Sequence, residues 1–206
     1  MVELADDTFD HVVEVIDQNL VARQTTCLNR ARAASVVVAV YDVGGKAHYC
    51  LIKRAKRGRN AGQWALPGGK VEMGETRRDA ALREAEEEVE LPRTAVRVVG
   101  QLDDIATWSG FTISAFVVAA PLGWRPAAAS TEVQQAYQFS IAGLVADGVV
   151  NWARVDNARP LLHMHLGAGV RIHAPTGAIL WQLRETGLYG RDVSVADVRH
   201  PEFTRH

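Results

Sequence analysis

The sequence has only two cysteines, Cys27 and Cys50, among 206 residues, so at most one disulfide could form and a secreted scaffold stapled by several bridges is excluded. It has no apolar run of about 18 residues, the length a helix needs to cross a bilayer. It also has no basic start followed by an apolar stretch of signal-peptide length; Met1 to Asp7 is acidic. The expectation is a soluble, cytoplasmic protein with no membrane partner. Charge of one sign is missing too: 23 Lys and Arg face 24 Asp and Glu, for a formal net charge of -1. No global field draws the chain to nucleic acid, and an anionic ligand must be held by a local site. Internal repeats and low-complexity segments are absent. What is present is a hydrophobic fraction of 48% with 23% charged residues, which suffices for a sizeable core and excludes wholesale disorder. The length fits one domain with extensions.

Phe9, Val12, Val13, Ile16 and Leu20 fall at helical spacing behind the capping candidates Asp6, Asp7 and Thr8, which predicts an amphipathic N-terminal helix. Ala34 to Val43 is valine-rich and is separated from His48 to Ile52 by Gly44-Gly45, a pair suited to a tight hairpin turn. A basic loop follows, with Arg54, Lys56, Arg57 and Arg59, and then Gln63-Trp64-Ala65-Leu66 before a Pro67-Gly68-Gly69 break. Thr76 to Glu88 has good helix formers and no Gly or Pro, and Pro92 lies just past its end. Val96 to Val99, Phe111 to Val118 and Glu132 to Phe139 read as strands, with Ser140 capping a short helix through Val145. The tail offers a strand pair, Leu161 to Leu166 and Val170 to His173, and a helix from Thr176 to Glu185 ended by Gly187; residues after Tyr189 are polar and read as a loosely fixed terminus. The class predicted is mixed α/β in layers, divided as a helical extension (1–30), a central domain (31–190) and a polar tail (191–206).

The most informative segment is Gly68-Gly69-Lys70-Val71-Glu72-Met73-Gly74-Glu75 running into Arg83-Glu84-Ala85-Glu86-Glu87-Glu88. On a helix, Glu84, Glu87 and Glu88 stand at i, i+3 and i+4 and share one face. Such crowding is unfavourable unless a cation sits there, and Mg²⁺ or Mn²⁺ takes oxygen ligands of this kind. Arg83 lies one i, i+4 step from Glu87 and can orient it. Taken alone, a solvated acidic face is the alternative reading of such a run. Glu72, Glu86 and Glu90 fall off the common face and read as solvated charge.

The full spacing resembles the box that names the Nudix hydrolases: Gly69, five residues, Glu75, seven residues, Arg83-Glu84, a small apolar Ala85, then Glu87-Glu88 and Leu91. The stretch Gly68 to Thr76 is similar to the loop of MutT-type members. Two positions depart from the pattern. Glu90 stands where the family has Gly and a positive φ ends the helix, at a cost on the order of 1 kcal/mol. Ala85 is smaller than the usual aliphatic, which bears on packing more than on chemistry.

The resemblance implies an α/β Nudix fold, a mixed sheet sandwiched between helices, and hydrolysis of a diphosphate linked to another moiety with Mg²⁺ or Mn²⁺. Carried over by position, the Gly68 carbonyl and the carboxylates of Glu84, Glu87 and Glu88 match the metal ligands. Arg83 matches the orienting arginine and Glu75 the loop glutamate supporting it. Family members differ in their general base, leaving Glu84 and Glu132 as candidates; a surface strand residue is the other reading of Glu132.

For the substrate, Leu51-Ile52-Lys53-Arg54 through Gly62-Gln63, Thr107 to Phe111, Glu132-Val133 and Ile172 to Leu180 are similar to the coenzyme A diphosphatase branch. Arg54, Arg57 and Arg59 could meet phosphates, and Phe111, Trp64, Trp108 or Trp181 could stack an adenine, core packing being the commoner fate. A nucleoside diphosphate derivative such as CoA is the expected small-molecule partner. ADP-ribose and nucleoside triphosphates are the alternatives, and a non-catalytic nucleotide-binding regulator is a further one. His163 and His165 share a strand face and read as ordinary strand histidines. The terminal helices either cover the sheet or pair subunits in a homodimer.

Overall fold

The computed structural model describes residues 6–29, 32–56, 61–107, 109–153, 161–167, 169–195 and 198. In chain order the elements are α1 (Phe9–Val21), β1 (Ala33–Val43), β2 (Lys46–Arg54), β3 (Trp64–Ala65), β4 (Gly68–Lys70) and α2 (Arg77–Val89). They continue with β5 (Arg97–Gln101), β6 (Ile105–Ala106), β7 (Thr112–Ala119), β8 (Val133–Ser140), α3 (Ile141–Val145), β9 (Val150–Ala153), β10 (Leu161–His165), β11 (Arg171–His173) and α4 (Thr176–Gln182).

The expected α1 forms and buries Val12, Val13, Ile16 and Leu20. Gly44 and Gly45 turn the first hairpin at φ 60° and 85°, the left-handed pair that a two-residue turn between twisted strands requires. Ser140 caps α3 by accepting from the Gly143 amide, as its position ahead of the apolar residues predicts.

β1 organises the main sheet. It runs parallel to β7 from Ala33↔Thr112 to Val40↔Ala119. On its other edge its second half pairs antiparallel with β2, and its start pairs with β4. β2 likewise gives its first half to β1 and its end to β3. The two strands therefore splay, and the Pro67-Gly68-Gly69 segment is threaded into the split as a strand rather than the break expected from its composition. β8 lines the far edge of β2, and β5 and β6 pair with β7. One parallel pair among antiparallel ones makes the sheet mixed.

Alternation along β1 sends Val37, Ala39 and Tyr41 to one face, where α2 packs through Ala81, Leu82, Ala85 and Val89. Val38 and Val40 face the other side, where α1 and α4 cover the sheet together with Leu162, Met164 and Ile172 of the small β9–β10–β11 sheet. The result is an α/β sandwich in which α2, among the described residues, is the one helix on its side of the sheet. Asp103 ties both terminal segments to this frame. It accepts from Arg23 Nη1 and Nη2 at 2.8 and 2.9 Å, from the Thr26 amide at 2.8 Å and from Gln182 Nε2 at 2.7 Å.

Two expectations about the tail are corrected. The last helix runs on past Glu185 as a π-helical turn, Leu183–Leu188, whose buried residues hold it against the core. The segment after Tyr189 is not loose where it is described: Val195 and Val198 are buried, and Gln182 Nε2 donates to the Val193 carbonyl. Isolated valines in a polar stretch gave no periodicity from which to read this.

Candidate active site

α2 begins at a true cap, with the Thr76 hydroxyl accepting from the Asp79 amide, and places Glu84, Glu87 and Glu88 on the side that meets β4. Glu88 is the most enclosed, 4% exposed, and its Oε2 accepts from the Gly68 amide at 2.9 Å. Glu84 lies over Gly69 so closely that a Cβ there would stand 2.3 Å from its Cδ. Glycine at 69 thus serves close approach rather than an unusual φ. Glu87 is 58% exposed at its side chain.

Arg83 binds this group together. Its Nε and Nη2 donate to Glu75 Oε1 and Oε2 at 2.9 and 3.1 Å, a bidentate grip. Its Nη1 donates to Glu84 Oε1 at 3.0 Å and stands 3.5 Å from Glu87 Oε1. Its Nη2 also reaches the Lys70 carbonyl at 3.2 Å. Glu75 in turn accepts from the Glu72 amide. Arg83 and Glu75 therefore hold the loop onto the helix. The Lys70 carbonyl is a partner that sequence reasoning did not supply, because a main-chain acceptor leaves no signature in residue type.

The electrostatics follow the geometry. Burial pushes the Glu88 carboxyl up to about 7, the Gly68 amide and Arg54 pulling the other way and Glu84 and Glu132 adding to the rise. Burial raises Glu84 as well, opposed by Arg83 and reinforced by Glu87 and Glu132. Hydrogen bonds from Arg83 hold Glu75 below the usual carboxylate range. A buried acid that resists ionisation next to other acids is a site lacking positive charge.

The carboxylates present oxygen donors, which fit a hard divalent cation. Among the described residues no three His, Cys, Asp or Glu side chains converge to enclose an ion as they stand. Glu84 and Glu88 each spend one oxygen on Arg83 or Gly68, and their other oxygens make no hydrogen bond among the described residues.

The structure brings Glu132 and Arg54 to this end of the molecule. Arg54 Nη2 lies 3.3 Å from Glu132 Oε2, and the charges of both are felt at Glu88. Phe111 is placed elsewhere: it leads into β7, across β1 from β4, and its ring is covered by the Arg32 guanidinium at 4.1 Å. Arg57, Arg59 and Trp108 lie outside the described residues. Trp64 packs edge-on against Tyr137 and beneath Lys53, and Trp181 against Trp152. His163 faces His173 across the strand pair, ring centres 4.7 Å apart.

Glu90 ends α2 at φ 57°, ψ 34°, the left-handed conformation expected at the box position that is usually Gly. Its carbonyl accepts from Trp124 Nε1 at 2.9 Å, so the substitution leaves the helix end in place.

The chain is similar to known proteins over part of its length. Nudix hydrolase NudL of Yersinia enterocolitica, itself named as uncharacterized, is 45% identical over 64 residues, covering 31% of this chain and 33% of that protein. The NudL of Citrobacter koseri is 33% identical over 117 residues, 56% of this chain and 60% of that one. The chain thus spans less than two thirds of these relatives. Among solved structures, a MutT/nudix family protein from Enterococcus faecalis aligns at TM-score 0.47 and 16% identity, over 74% of this chain and 58% of that one. The NUDIX domain of Shewanella oneidensis NrtR, complexed with ADP ribose, aligns at 0.44 and 15%, over 59% and 77%. The sequence model of the NUDIX domain matches residues 31–154, more than half of the chain and all of the box, and the chain therefore belongs to the NUDIX domain family.

Proposed function

We propose that the protein hydrolyses the diphosphate linkage of a nucleoside diphosphate derivative, with CoA or a CoA derivative as the substrate class, in the presence of Mg²⁺ or Mn²⁺. The observation that carries this reading is the buried Glu88, held with Glu84 and Glu87 on one helix face under the Arg83–Glu75 grip. Glu84, Glu87, Glu88 and the Gly68 carbonyl would hold the cation, which when bound neutralises phosphate oxygens and acidifies water. Arg83 keeps Glu84 and Glu87 aimed, and Glu75 keeps Arg83 aimed.

Glu132 is the general base in this reading. It stands in the turn just before β8, is well exposed, and its charge reaches both Glu84 and Glu88. Its carboxylate takes a proton from water as the water oxygen bonds to phosphorus. The bridging P–O bond breaks, and its electron pair leaves with the released phosphate ester.

The CoA assignment is supported by the basic stretch from Arg54 through Arg59, four cations directly ahead of the box, which suit a substrate carrying a phosphate beyond its diphosphate. We assign 31–190 to the hydrolase domain; β10, β11 and α4 share the apolar cluster under its sheet, on which α1, Val195 and Val198 also pack. Residues 1–30 and 191–206 are then its extensions. We place the protein in the cytoplasm, where the free thiols Cys27 and Cys50 suit a reducing compartment.

The test is a panel of CoA, acyl-CoA, ADP-ribose, NADH, diadenosine polyphosphates and nucleoside triphosphates with Mg²⁺ and then Mn²⁺, products resolved by chromatography. CoA giving 3′,5′-ADP and phosphopantetheine is the expected result. Preference for triphosphates or ADP-ribose would replace the substrate class, and no turnover with either metal would favour a nucleotide-binding module instead.

A further inference from the structure

Arg54 is the last residue of β2, and the pairing of β2 with β8 slips just there. Lys53 opposes Gln135, but Arg54 opposes Val133, leaving Gln134 as an extra residue on β8. A bulge of this kind bends the strand and re-aims the side chains beside it. Before the slip, Cys50 and Ile52 face the α2 side of the sheet, and Arg54 continues that alternation toward the carboxylates. Past the slip the two chains stay joined, with the Ala55 amide donating to the Glu132 carbonyl at 2.8 Å. The main chain of Glu132 is thus fixed by the bulge, while its side chain is 69% exposed and, among the described residues, has a single polar partner, Arg54 Nη2 at 3.3 Å. Arg54 itself is only 28% exposed, so its guanidinium is the better-held member of the pair.

We infer that Arg54 is the positioning residue for Glu132: the β8 bulge brings the two together, and the guanidinium directs the Glu132 carboxylate toward the water it deprotonates. This rests on the reading of Glu132 as general base. It gives Arg54 a task other than gripping the substrate's phosphates, which its charge and place ahead of the box also suggest. A free glutamate on an exposed strand end samples several rotamers, and a base is effective only within hydrogen-bond reach of its proton. One ordered cation beside it removes that search. The pair is exposed enough to contribute little to folding stability, so its loss registers in turnover.

The experiment is a double-mutant cycle on kcat and KM with the best substrate from the panel, using Arg54→Gln, Arg54→Lys, Glu132→Gln and the Arg54→Gln/Glu132→Gln double variant, each with a thermal melt. Arg54→Gln is expected to lower kcat about tenfold with KM changed less than about twofold. Glu132→Gln should lower kcat about a hundredfold, the double variant should match Glu132→Gln alone, and Arg54→Lys should recover part of the loss. A raised KM with kcat preserved, or losses that multiply in the double variant, would overturn the assignment while leaving Glu132 as base. Unchanged turnover in Glu132→Gln would instead remove the base itself, and with it both readings. If Arg54→Gln loses its melting transition, Arg54→Lys carries the comparison: a kcat lowered by less than in Glu132→Gln with KM unchanged supports positioning, and a raised KM or an unchanged kcat refutes it.

Discussion

The Glu84 carboxylate occupies the space that a side chain on residue 69 would fill, its Cδ 2.3 Å from the position of a Cβ there. Loop and helix therefore meet without a spacer, and the position of one acid is set by the absence of an atom in another residue. Gly69→Ala forces the carboxylate aside, and because the displaced atoms end a flexible side chain, folding should tolerate it. Turnover is expected to fall by at least about a hundredfold, as misplacing a reacting group by about 1 Å does, with little change in Tm. Full activity in this variant would show that Glu84 need not lie where it does.

Glu88 makes the metal-free protein sensitive to pH. Its carboxyl is raised from 4.5 to about 7 by burial, so the folded state holds that proton more tightly than the unfolded chain. The corresponding stability is present below about pH 4.5 and is lost as pH rises through about 7. Melting curves in chelator should show this fall, with the largest gain from added Mg²⁺ above pH 7, where Glu88 is ionised. Subtracting the Glu88→Gln curve isolates the effect; an identical pH slope in that variant contradicts it.

Glu90→Gly relieves a left-handed residue at φ 57° while keeping the carbonyl that Trp124 uses. The expected gain is about 1 kcal/mol, reduced by glycine's greater unfolded-state entropy, or a Tm rise of up to about 2–4 °C. A lower Tm would mean that the glutamate side chain contributes contacts outweighing the strain.

The parts of the fold legible in sequence are those written in side-chain type and spacing. The acidic face of α2, the Ser140 cap, the Gly44-Gly45 turn and the apolar stripe of α1 all belong to this class. β4 was hidden because its pairing to Ala34, Ser35 and Val36 is main-chain hydrogen bonding by residues whose composition signals a turn. The three-residue strand exists because β1 and β2 splay, a tertiary fact. The Arg54–Glu132 contact joins residues 78 apart through a bulge no local pattern announces. Phe111, chosen for its ring, sits across β1 from β4 because that is where β7 begins.

The most direct test of the central claim is the rate of diphosphate hydrolysis by the unaltered protein and by Glu87→Gln, each with Mg²⁺ and with chelator. Metal-dependent cleavage that falls at least about a hundredfold in Glu87→Gln is the result predicted, since this exposed carboxylate has little to do with folding. Turnover close to that of the unaltered protein, or hydrolysis that persists in chelator, would contradict the assignment of the α2 carboxylates as cation ligands.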